Sequence, residues 1–336
     1  MGAYNNIIRQ KTYARAGLAG NPSDGFFGKT LSFTLNNFFA EVVLYPSQHL
    51  ELLAGPRDRP IYSGISEMIK SINDYGYYGG IRLLQAAIKQ FKEYCYANEI
   101  ILSSENFSIR YFSNIPPHVG MAGSSAIITA CLKALMNFHQ VSIAKPALAN
   151  LALSVESDEL SIGAGLQDRV AQVYEGLTFM DFDQELMESR GFGRYQSLDP
   201  RLLKNIYIAY NSNLGEGSEV FHNDLRGRFN VGDSQVINAM SSWANIAEQV
   251  RDYLLSGKTH SIGDLLNANF DLRRSICTIH PDNIAMIDAA RSVGASAKFT
   301  GSGGAIVGQY EDEKMFNALS IILTNLGVKL IKPEVV

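Results

Sequence analysis

The chain has 336 residues, 46% of them hydrophobic and 18% charged, which excludes an intrinsically disordered chain and suffices for two domains or one large one. Its 29 basic and 33 acidic residues leave a net charge of −4, so no overall field draws it to nucleic acid or to an anionic membrane. Cys95, Cys131 and Cys277 form no C-x-x-C pair, and the six histidines form no H-E-x-x-H or Cys/His cluster; reduced thiols and no structural zinc site are expected. The N-terminus lacks the apolar core of a secretion signal. Met1-Gly2 opens like a myristoylation site, but Asn6 stands where that motif wants Ser or Thr. With no run of 18 apolar residues, a soluble cytoplasmic protein is expected, a monomer or homodimer.

Residues 31–46 are rich in Phe, Val, Leu and Thr and predict a strand, and 54–63 predict a loop. In 81–97, Ile81, Leu84, Ala87, Ile88 and Phe91 fall on one helical face. Residues 107–115 alternate as a half-buried strand does, and two prolines end it. Helical patterns follow at 124–139, 146–160 and 165–175, then a strand in GLTFMDF. The polar stretch 188–194 predicts a boundary between domains at 1–190 and 191–336. Beyond it come a strand at 204–211 and helices at 234–256 and 282–293. SAKFTGSGGAIVGQY then reads as strand, tight loop and strand, and a helix at 312–326 and a short strand close the chain. Strands and helices mix without regular βαβ alternation, so the fold class is α+β.

Three loops stand out. The first, PPHVGMAGSSA at 116–126, lies between a predicted strand and a predicted helix. The first N–H groups of a helix have no internal partner, and its dipole adds positive charge there. Gly120 and Gly123 clear side chains from the path of a phosphate. Ser124 and Ser125 present hydroxyls to phosphate or to a metal. The spacing matches neither a Walker A loop nor a dinucleotide-binding fingerprint. Taken alone, the stretch reads equally well as a helix cap with no ligand. The second loop, KFTGSGGA at 298–305, has few side chains and permits close backbone approach. The third, ARAGLAGNPSD at 14–24, runs from an apolar strand into a polar turn ending at Asp24.

Together and in this order along the chain, ARAGLAGNPSD, PPHVGMAGSSA and KFTGSGG resemble the three motifs of the GHMP kinase superfamily. Within it, GNPSDGFFGKT (20–30), GYYGGIRLL (76–84), GLQDRVAQVYEGL (165–177) and NANFDLRR (267–274) resemble the glucuronokinase branch most. Asn21-Pro22 stands where galactokinases carry Glu-His, which argues against galactose. The resemblance implies an N-terminal domain like domain 2 of ribosomal protein S5 and a ferredoxin-like C-terminal domain. It implies an ATP- and Mg²⁺-dependent kinase that phosphorylates the anomeric hydroxyl of D-glucuronate. A kinase for heptose, fucose or galacturonate, or a non-catalytic binding protein on the same fold, is the alternative.

The resemblance also implies residue roles. Pro117, Gly120, Met121, Ala122, Gly123, Ser124, Ser125 and Ala126 would wrap the triphosphate. Ser125 and Glu156 would ligate Mg²⁺. Asp168 would accept or polarise the proton of the attacking hydroxyl, and Arg15 beside it would stabilise charge on the transferred phosphoryl group. Asp24 would bind sugar hydroxyls. The uronate carboxylate wants a guanidinium or an ammonium, for which Lys29, Arg82, Arg273 and Arg274 are the candidates. Tyr77 and Tyr78 would stack on the sugar or donate hydrogen bonds to it. Gly301, Ser302 and Gly303, with Lys298, Thr300 and Gly304, would close over the phosphate loop or the substrate cleft, between the domains.

Overall fold

The computed structural model describes residues 7–55, 58, 79–214 and 225–336. Two sheets organise the chain. The first contains β1 (Ile8–Ala19), β2 (Lys29–Ser47), β3 (Glu51–Leu52), β4 (Asn106–Ser113), β5 (Leu177–Asp181) and β6 (Arg194–Leu198). β2 is its spine: β1 pairs antiparallel along one edge, while β4 and β5 take successive halves of the other. The inner half of β1 is buried residue after residue rather than alternately, as in a strand covered on both faces.

The first sheet is covered by α1 (Gly80–Ala97), α2 (Gly123–His139), α3 (Lys145–Ser154) and α4 (Leu166–Tyr174). Their apolar faces form one core with β1 and β2, including Leu18, Leu31, Phe33, Phe91, Ile128 and Val170. The helical stretch predicted at 146–160 is divided. α3 stops at Ser154, and Val155–Glu159 continues as a single wider π turn. Such turns bulge the backbone and recur at functional sites. Here the turn carries Glu156.

The second sheet, in the order β10 (Lys329–Ile331), β7 (Ile206–Tyr210), β9 (Ala305–Gln309) and β8 (Lys298–Phe299), is antiparallel. It has its own core of Tyr207, Phe270, Met286, Ile287, Phe299 and Leu319. α5 (Gln184–Arg190) precedes β6, and α6 (Ser234–Leu255) packs on β2, its buried face joining the first core through Val236, Met240 and Trp243; around the second sheet lie α7 (Gly263–Ile276), α8 (Pro281–Ser292) and α9 (Glu313–Asn325). β6 belongs to the first sheet, so that sheet takes its last strand from just beyond residue 190. The halves are tied further: the chain end returns to β2 through Val336 N–H donating to Thr34 O at 3.2 Å. Sequence periodicity missed α7 and β6. α7 carries Asp, Asn and Arg among its apolar residues, and β6 is only five residues long with exposed positions. Among the described residues, no helix is long and apolar enough to cross a membrane.

Candidate active site

The three loops singled out in the sequence meet at one place. At Arg15 the β1 backbone turns to the phosphate loop, its N–H donating to Met121 O at 3.2 Å. Two residues on, Gly17 N–H donates to Thr300 O at 2.8 Å. A Cβ on Gly17 would stand 2.7 Å from that same oxygen, and one on Gly301 would stand 2.3 Å from Gly120 O. Only glycine permits these backbones to touch. The contact also holds Gly120 at φ +68° and excludes a side chain there, because a Cβ would lie 2.7 Å from Ser302 N.

Arg15 locks the junction. It is 4% exposed. Its Nη1 donates to Thr300 O at 2.6 Å and to Gly120 O at 3.2 Å, and its Nη2 pairs with Asp168 Oδ1. One guanidinium thus joins β1, both glycine loops and the first turn of α4. Leu166 and Val170 anchor α4 in the core, and Asp168 is left 22% exposed toward a cleft. The cleft holds about 580 Å³ and is lined by all three loops, the 162–165 segment and the start of α1.

Beside this pair lies another. Glu156 and Arg169 are ion-paired with side chains 2% and 4% exposed. Arg169 also donates to Gly165 O at 2.7 Å and lies 3.6 Å from Asp168 Oδ2. Its surroundings, above all burial and then the charge of Arg15, bring its pKa down to about 9, so it remains a cation at neutral pH. Glu156 Oε1 accepts from Ser124 Oγ at 2.6 Å. Ser125 faces the other way: it is buried and donates to Gln172 Oε1 at 2.7 Å. Consecutive helical side chains diverge by about 100°, and here that divergence separates the two serines. Of the pair, Ser124 faces it and Ser125 faces the core. Ala126 is fully buried behind them.

Asp24 borders the cleft from the short turn Ser23–Phe26 and accepts from Gln167 N–H at 3.3 Å. Burial, and then the nearby charge of Asp168, push its pKa up to about 6. The basic candidates separate clearly. Lys29 pairs with Glu248 at 2.7 Å and Arg274 with Asp288 at 3.7 Å, and neither lines the cleft. Arg82 and Arg273 both line it. Arg273 also supports the third loop, donating to Gly301 O at 2.7 Å and Ser302 O at 2.6 Å. Lys298 is no solvated strand residue. It is 1% exposed and donates to Gly17 O, Asn21 Oδ1 and Phe299 O, each at 2.7 Å. Burial and then the charges of Arg273 and Arg15 depress its pKa well below the usual lysine range. Gly301 and Ser302 line the cleft; Gly303 lies in the same loop without lining it. Pro117, Met121, Ala122 and Gly123 line it as well. Tyr77 and Tyr78 lie outside the described residues.

Sequence reasoning did not single out two residues that build this site. Arg169 was visible only as the neighbour of Asp168. Gln172 lies one helical turn beyond Asp168, and its Nε2 donates to Ala122 O at 2.8 Å, tying α4 to the phosphate loop. The i, i+4 spacing was the available signal.

Known proteins resemble this chain in both sequence and fold. Residues 82–176 match the family model for the GHMP kinases N terminal domain. Probable glucuronokinase 2 of Arabidopsis thaliana is 43% identical over 91% of this chain and 85% of its own length. Glucuronokinase 1 of the same plant is 42% identical over 89% and 84%. The solved structure of Lactococcus lactis galactokinase complexed with galactose superposes with a TM-score of 0.77 at 14% identity, covering 98% of this chain and 94% of that one. Its low identity speaks for the fold alone, the two-domain α+β fold of these kinases. With loops, cleft and relatives in agreement, the chain belongs to the glucuronokinase family of the GHMP kinases.

Proposed function

We propose that the chain transfers the γ-phosphoryl group of ATP to the anomeric hydroxyl of D-glucuronate. The observation that carries this reading is the Arg15–Asp168 pair, set where three glycine-bearing loops meet at the cleft. Membership of a kinase family supports ATP as donor, and the glucuronokinase relatives support the acceptor. The N-terminal domain of the proposed division carries the first two loops, and the C-terminal domain brings the third over them.

Phosphoryl transfer asks for alignment and charge neutralisation more than for covalent help. The β- and γ-phosphates would lie on the backbone of Gly120–Gly123 at the start of α2, where the unpaired N–H groups and the helix dipole favour anions. The sugar would enter past Asp24 with O1 directed at Asp168. As the O1–P bond forms and the bond to the β-phosphate oxygen breaks, the O1 proton passes to the Asp168 carboxylate and ADP leaves. Arg15 holds Asp168 in place and stabilises negative charge near the transferring group. Arg82 and Arg273 are the cleft-lining groups suited to the sugar carboxylate.

The donor set also fits a magnesium ion. Ser124 Oγ and Glu156 Oε1 are hard oxygens on the cleft wall beside the phosphate loop. Mg²⁺ takes few protein ligands, with phosphate oxygens and water completing its shell. When bound, it would neutralise phosphate charge.

A coupled assay of ADP release against glucuronate, galacturonate, galactose, fucose and a heptose tests the reading. Glucuronate is expected to give the highest kcat/KM. Turnover of another sugar with glucuronate inert would remove the substrate assignment and keep the kinase.

A further inference from the structure

The reaction outlined above leaves Arg169 without a role, yet it occupies the centre of the charged cluster. Its side chain and that of Glu156 are both almost fully enclosed. A buried ion pair repays its desolvation only with further hydrogen bonds, and Gly165 O supplies one at 2.7 Å. The two oxygens of Glu156 are divided between partners. Oε2 faces the Arg169 guanidinium, and Oε1 is turned to Ser124 on the cleft wall. Arg169 also reaches within 3.6 Å of Asp168, so one cation spans the carboxylate on the metal side and the carboxylate on the hydroxyl side.

We infer that Arg169 is a positioning residue that sets when a divalent cation can bind: it occupies one oxygen of Glu156 and offsets its charge, so the Ser124–Glu156 pair holds a cation only together with nucleotide phosphates. The inference rests on the reading of Ser124 and Glu156 as metal ligands. The physical reason is charge balance in a poorly screened place. A bare divalent ion beside Glu156 meets a carboxylate already neutralised by a guanidinium in contact with it. Phosphate oxygens bring the negative charge that the protein withholds. The metal therefore arrives as its nucleotide complex, and free metal does not fill the site first. The same contact keeps Oε1 directed at the cleft, which favours single-oxygen ligation over a chelating carboxylate.

Manganese retained by the full chain in equilibrium dialysis, with and without a non-hydrolysable ATP analogue present in both compartments, tests this. The wild-type chain is expected to bind Mn²⁺ only with the analogue. Arg169→Gln keeps a hydrogen-bond donor but loses the charge, and is expected to bind Mn²⁺ alone at least about tenfold tighter. Arg169→Lys keeps the charge and is expected to stay as weak as wild type. Glu156→Gln is expected to lose Mn²⁺ even with the analogue. If Arg169→Gln is no tighter than wild type while Glu156→Gln loses the metal, the inference falls and the metal reading stands. If Glu156→Gln binds the Mn²⁺–analogue complex normally, the metal reading falls and takes the inference with it. Should Arg169→Gln not fold, the wild-type titrations still decide, since equal Mn²⁺ affinity with and without the analogue overturns the proposal.

Discussion

Two arginine–carboxylate pairs stand side by side in this cleft and are built differently. In the Arg15–Asp168 pair the arginine is buried but the carboxylate is 22% exposed. In the Arg169–Glu156 pair both partners are nearly sealed. The open pair leaves a carboxylate that an incoming hydroxyl can reach. The sealed pair fixes a carboxylate and presents a single oxygen through Ser124. Like-looking ion pairs thus differ in what they offer the cleft, and exposure of the carboxylate is what separates them. Consecutive residues, Asp168 and Arg169, contribute one member to each pair.

The largest effect is expected at the open carboxylate. Asp168→Asn should lower kcat by about 10²–10⁴ and leave Mg-ATP affinity nearly unchanged, measured by steady-state kinetics beside nucleotide titration. Near-normal turnover would remove Asp168 from the reaction. Next comes Arg15→Lys, which cannot reproduce a fork spanning Asp168, Gly120 O and Thr300 O. Its kcat/KM should fall about 10²–10³-fold. If Lys substitutes freely, the three-loop junction does not depend on the guanidinium.

Gly120→Ala probes the floor of the junction. With φ at +68° and Ser302 N in the way, it should cost about 1–3 kcal/mol in stability and weaken nucleotide binding. Thermal melting with and without Mg-ATP measures both.

Asp24 gives a pH signature. Its folded pKa of about 6 lies above the ordinary 3.8. The folded state therefore holds this proton more tightly than the unfolded state, and the group's contribution to stability declines as pH rises from about 4 to 6. Above that window a charged, poorly solvated carboxylate persists. Asp24→Asn should then be more stable than wild type at pH 8, by up to about 3 kcal/mol, with the gap closing toward pH 4 and sugar binding weakened. A pH-independent difference would contradict the assignment. The smallest effect is expected at Lys29→Ala. Its part-exposed pair with Glu248 is worth under about 1 kcal/mol, and sugar KM should not move.

Much of the frame was legible in sequence, because apolar periodicity and glycine spacing are local signals. β2, α1, α2, α6 and both glycine loops fall where those patterns place them. Less legible was anything requiring chain-distant partners. Glu156 and Arg169 lie thirteen positions apart, one on the π turn and the other in α4 beyond a loop, and nothing in LSVESDEL or LQDRV announces their contact. Lys298 looks like a solvated lysine until three oxygens from β1, the 20–22 turn and its own strand enclose it. Ser124 and Ser125 are chemically equivalent in the sequence; only the direction in which α2 leaves the loop separates them. Arg82 and Lys29 looked alike as basic residues near the substrate segments, and only tertiary placement puts one in the cleft and the other on α6.

The position of phosphate on the product decides whether Asp168 receives the anomeric hydroxyl. With glucuronate and Mg-ATP, phosphorus NMR of the product should show a phosphate coupled to the anomeric proton, formed in equal amount to ADP, and Asp168→Asn should suppress it. Phosphate on a ring hydroxyl, or ATP hydrolysis with no sugar phosphate, would rule out transfer to the anomeric oxygen at this cleft.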